Sequence, residues 1–94
     1  MSLAKPWRSL DRATVRNAPD RYALYEVGDR EGTSLGVGIG PLGDELRELL
    51  AYGEGSTFYP TPNADEAGDP TQVRWTCANS KAHAESLLDE HRPD

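Results

Sequence analysis

The chain has 94 residues, with 36% hydrophobic residues, a mean hydropathy of -0.71 and a formal net charge of -6 from ten Lys and Arg against sixteen Asp and Glu. A single domain of this size buries only about 60–65% of its unfolded surface, so the core is expected to be thin. The single cysteine, Cys77, excludes an intrachain disulfide, and no run approaches the ~20 apolar residues of a membrane span or resembles a signal peptide. The expectation is one soluble cytoplasmic domain over residues 1–94, free of any membrane.

The first segment, residues 1–17, reads as a basic arm containing a helix. Ser9 is a candidate N-cap for Leu10–Arg16, and Asp11 would complement the positive end of the helix dipole. On such a helix Arg8, Arg12 and Arg16 would recur every four residues along one side. Residues 1–21 hold five bases and two acids, net +3, so residues 22–94 carry -9. That asymmetry marks a surface for nucleic acid or an acidic partner, or an arm docked on its own acidic body. The docked arm is the simpler reading, with Arg12 and Arg16 answering acids elsewhere in the fold. Pro19 pushes Ala18 toward an extended conformation and should end the helix.

Next comes a predicted β-hairpin. Tyr22–Val27 and Thr33–Ile39 are rich in aromatic and branched residues, and Gly28-Asp29-Arg30-Glu31-Gly32 between them can turn. In the second run Leu35, Val37 and Ile39 alternate with Ser34, Gly36 and Gly38, the period-2 signature of one buried face. A helix is predicted over residues 41–52. Leu42, Leu46, Leu49 and Leu50 form its apolar stripe, with Pro41 first, Asp44 and Glu45 in the first turn and Gly53 as the stop.

Residues 53–71 form an acidic loop rich in Gly and Pro, long enough to be functional, with a short strand possible at Ser56–Tyr59. Val73, Trp75 and Cys77 alternate with polar residues and predict a half-buried strand. The last helix is expected at about 80–91, with Ala84, Leu87, Leu88 and His91 on one face. The fold class is therefore α+β: a small, largely antiparallel sheet, made of the hairpin and one or two later strands, flanked by two or three helices. Leu35, Val37, Trp75, Leu46, Leu50 and Leu88 are expected to meet in one core, with Tyr25 on the face carrying Gly36.

Few residues point to chemistry directly. Gly36-Val37-Gly38-Ile39-Gly40 precedes a helix, but it has neither GxGxxG spacing nor a Gly-Lys-Ser/Thr ending, and Asp44 and Glu45 would repel an anion. Cys77, His83 and His91 lack metal-site spacing, and no Ser-His-Asp or Cys-His set can be assembled.

In order and lettering the chain resembles a GIY-YIG nuclease domain over roughly residues 9–52, and more loosely at 72–93. Ala23-Leu24-Tyr25 falls on GIY and Gly36-Val37-Gly38 on YIG, so Tyr25 and Gly38 match while one glycine and one tyrosine are lost. The family's arginine would fall near Gly43 or Asp44; Arg47, one turn on, is the only substitute on that helix. Glu85 lies within one position of the metal-binding glutamate, and Arg92-Pro93 resembles the end of that segment. More specifically, the chain is similar to a family of small acidic proteins from halophilic archaea. That likeness implies no function; the acid excess, the preference for arginine over the two lysines Lys5 and Lys81, and the small hydrophobic fraction together suggest adaptation to high salt.

In that family's hydrolysis, tyrosine hydroxyls help activate water, an arginine stabilises the phosphate and the metal polarises it. Losing one tyrosine and the arginine should remove several kcal/mol of barrier lowering, at 10²-fold or more per group. The leading expectation is thus a catalytically inactive GIY-YIG-like binding module with no cofactor. Arg8, Arg12 and Arg16 are its candidate binding residues, for a protein partner or another copy of the chain rather than nucleic acid. The alternatives are a weak DNA endonuclease using Tyr25, Arg47 and Glu85, with Mg²⁺ or Mn²⁺ held by Glu85, and a structural subunit of an oligomer.

Overall fold

A computed structural model describes residues 6–52, 58–61 and 68–91. In chain order the elements are β1 (Arg8–Ser9), α1 (Arg12–Asn17), β2 (Tyr22–Gly28), β3 (Ser34–Pro41), α2 (Leu42–Tyr52), β4 (Phe58–Pro60), β5 (Gln72–Cys77) and α3 (Lys81–His91). The strands form one antiparallel sheet in the order β1-β5-β2-β3-β4, an α+β fold. No helix among the described residues is long and apolar enough to cross a membrane.

The hairpin forms the centre of the sheet. Its turn closes through the Asp29 carboxylate, which accepts from the backbone N–H groups of Glu31 and Thr33 at 2.9 Å each. Gly32 takes the positive φ of 83° that this turn needs. Gly28 serves a different purpose. A Cβ there would lie 2.6 Å from the Trp7 ring, so its bare backbone lets the N-terminal arm lie against the sheet.

Both faces of β2 and β3 are buried, which corrects the one-face reading of β3 and the single-core expectation. Ala23, Tyr25, Val27 and Val73 pack with Leu42, Leu46 and Leu49 of α2, and Leu10, Val15, Ala18 and Trp75 edge this cluster. Leu24, Val37, Ile39 and Ala78 pack with Ala84 and Leu88 of α3 on the opposite face. Period-2 geometry requires this split once helices cover both sides.

Leu35 breaks the period. Val27 pairs with Gly36 and Gly28 with Ser34, so Leu35 is the extra residue of a β-bulge and packs with the α2 cluster, away from Val37 and Ile39. The glycines of β3 are not solvent-facing spacers. Gly36, Gly38 and Gly40 pair with Val27, Tyr25 and Ala23 and are buried beneath the α2 side.

At the helix ends the structure moves several assignments. Asp11, not Ser9, caps α1: its side chain accepts from the Thr14 N–H at 2.9 Å, while Ser9 lies on β1 opposite Gln72. Arg8 is therefore off the helix and cannot share a face with Arg12 and Arg16. Ala18 is extended (φ -65°, ψ 140°), as the following Pro19 requires. Pro41 closes β3 opposite Tyr22, one residue before α2 begins. Leu50 departs from the expected stripe and is 41% exposed, because Leu42, Glu45, Leu46 and Leu49 are the residues that α2 buries. In α3, Ala84 and Leu88 are buried and Leu87 and His91 half-buried, matching the expected face.

The expected acidic loop is tied down where it is described. Thr61 donates its N–H to the Leu35 carbonyl, Gly68 donates to the Asp29 carboxylate, and Thr71 donates to the Gly28 carbonyl. Lys5, Gly53, Ser56 and the Arg92-Pro93 pair lie outside the described residues, as does the acidic run from Asn63 to Ala67.

Candidate functional site

An open concavity lies between α1 and α2. It is a groove of about 810 Å³ whose floor includes Val15, Ala18, Leu50 and Ala51. Its position follows from the chain. The Ala18-Pro19 break ends α1 and turns the backbone into β2, while α2 starts directly from the other end of the hairpin. The two helices thus lie side by side over one face of the sheet.

Charged side chains rim this groove. Arg12 and Arg16 stand one turn apart on α1, about 6 Å along the axis. Both are exposed, and neither forms an ion pair or side-chain hydrogen bond among the described residues. Across from them Arg47 is 70% exposed and bonded to Asp44 at 3.2 Å, a surface pair worth about 0–1 kcal/mol. Asp20 completes the charged rim. The docked-arm reading placed acids against Arg12 and Arg16; the arm is instead fastened through Trp7 and Arg8.

Arg8 stacks on Trp75, 4.9 Å from its ring centroid, and Trp7 stacks on Arg74 at 4.0 Å. These neighbouring residues alternate across a strand, so the two stacks grip opposite faces of β5. Arg74 in turn donates through Nε to the buried Glu26 at 2.6 Å, on the register pair Glu26–Arg74. Sequence reasoning missed this pair. Its signal was an acid inside the apolar run of β2 and a base in the middle of β5.

The residues matched to the nuclease pattern are not brought together. Tyr25 is fully buried on the α2 side of the sheet, directly opposite Gly38. Its hydroxyl donates to Glu45 Oε1 at 2.9 Å. Burial, followed by the Glu45 carboxylate, pushes the phenol well above the ordinary tyrosine range. Glu45 is also buried, and its side chain lies across Gly40: a Cβ there would meet Glu45 Cγ at 2.8 Å. Arg47 points into the solvent-exposed groove. Glu85 is exposed on α3, which packs against the other face of the sheet.

Glu45 was readable as more than a dipole partner, since it falls at i+3 from Leu42, within the apolar stripe. The remaining candidates have structural contacts. His83 completes the start of α3: its N–H donates to Ser80 Oγ at 3.1 Å and its Nδ1 accepts from the Asn79 N–H at 2.9 Å. His91 ends α3, and its buried Nδ1 has no partner among the described residues. Cys77 is a half-buried thiol at the end of β5. The amides of Thr33, Gly68, Glu31 and Gly32 hold the Asp29 carboxyl below its usual range, making it a clasp between hairpin and loop.

With a hairpin-centred sheet and helices on both faces, the chain is a small α+β domain that carries an arginine-rimmed groove between α1 and α2. All of it, residues 1–94, matches the family described as Domain of unknown function (DUF7508), and the protein belongs to that family. No curated protein and no solved structure matches it.

Proposed function

We propose that the chain is a catalytically inactive, GIY-YIG-like interaction module that engages a protein partner through the α1–α2 face. One observation carries the reading: Tyr25, Arg47 and Glu85 occupy a sealed core, an exposed groove and the opposite face of the sheet. Phosphodiester hydrolysis needs the water-activating, charge-stabilising and metal-holding groups around one reacting phosphate. A phenol that donates to a buried carboxylate is also closed to substrate. The in-register pairing of Tyr25 with Gly38 supports the resemblance itself, since both residues of the shortened motif then face one another across the hairpin.

A second reading is a structural subunit of an oligomer, favoured by the exposed Leu50 and Tyr52 near the end of α2. The experiment incubates the protein with supercoiled and linear DNA at low salt, with Mg²⁺ or Mn²⁺, beside a Glu85→Ala variant. The expected result is no cleavage by either protein. Metal-dependent cleavage that disappears in Glu85→Ala would establish the endonuclease instead.

A further inference from the structure

We infer that the α1–α2 groove takes a short acidic segment of a partner protein, one that carries paired carboxylates and an aliphatic side chain. This deepens the interaction reading above and rests on it. Arg12 and Arg16 are rooted one turn apart on α1, about 6 Å along its axis, and neither pairs with a carboxylate among the described residues. Carboxylates one helical turn apart on a partner helix have that same spacing, and each can be bound by a planar guanidinium fork. Beside them Leu50, 41% exposed, lines the groove together with Val15, so the groove offers apolar contact as well as charge. A purely ionic ligand would leave that contact unused.

Charge also limits the size of the ligand. Three bases and two acids line the groove, a local +1, while the other seven bases and fourteen acids leave -7 on the rest of the chain. Duplex nucleic acid carries one negative charge per about 1.7 Å, so most of its length would face that acidic remainder. A segment with two or three carboxylates would meet only the groove. Asp20 at the rim then disfavours a longer acidic run and admits a neutral or basic residue at that point.

The test is selection from a displayed library of random dodecapeptides at low salt, on the intact chain and on an Arg12→Gln/Arg16→Gln variant. Circular dichroism first confirms that the variant is folded, as expected for two exposed positions. The expected winners carry Asp or Glu pairs four residues apart beside Leu, Ile or Val. Synthetic winners should bind the variant about tenfold or more weakly, for the loss of two charge-assisted contacts. Affinity for the intact chain should fall as KCl is raised, and Leu50→Gln should weaken it without removing its salt dependence. Selection of peptides without paired acids, or no enrichment over the variant, would overturn the inference. Self-association lost in the same variant would overturn it too, while leaving an interaction role for this face. Metal-dependent DNA cleavage would remove the underlying reading itself.

Discussion

Tyr25 shows how one side chain can match a catalytic motif and serve a different end. Its hydroxyl meets Glu45 inside the core, and Gly40 keeps the space into which Glu45 folds. Tyr25→Phe removes one hydrogen bond to a buried carboxylate and should cost about 1–3 kcal/mol in urea denaturation. The phenol's folded pKa is raised, so its contribution is complete below the unfolded value of about 10. Above that pH the unfolded chain ionises first and stability falls. The melting temperature of the wild type should therefore decline above about pH 10, and Tyr25→Phe should decline less steeply over the same interval. Equal slopes would mean that the hydroxyl is not sealed.

Between sequence and element, alternation and apolar stripes carried far. The hairpin, α2, β5 and α3 were legible because Val73, Trp75 and Cys77 keep period 2 and Leu42, Leu46 and Leu49 keep a helical period. What could not be read was tertiary. Whether one or both faces of the hairpin are covered depends on where the helices dock, and Leu35 changes face through a bulge that its own sequence does not announce. The two-residue β1 was hidden for the same reason, since it forms only against β5. Its presence moves the start of α1, and the cap tests this. Asp11→Ala should cost about 0.5–2 kcal/mol in urea denaturation, whereas Ser9→Ala should change stability little. The reverse order would restore Ser9 as the cap and put Arg8 back on the helix. Of the candidate site, Arg12 and Arg16 were visible as a repeated spacing on α1; Arg47's place across the groove required the fold.

At the scale of the whole molecule, the net charge of -6 on 94 residues opposes compaction when screening is weak. Raising KCl from about 0.1 M to 1 M shortens the Debye length from roughly 10 Å to 3 Å. The melting temperature should rise across that range, and a flat or falling curve would remove the proposed adaptation to high salt. The same two-sided architecture that divides the core also divides the nuclease lettering, with Tyr25 under α2 and Glu85 on the outside of α3. The most direct test of that separation is a ¹⁵N–¹H spectrum recorded during titration with substoichiometric Mn²⁺, whose paramagnetism broadens amide signals near any bound ion. The account predicts that the amides of Tyr25, Arg47 and Glu85 do not broaden together. Selective, simultaneous broadening of all three, reversed by Glu85→Ala, would contradict it by assembling one metal site from residues that the fold holds apart.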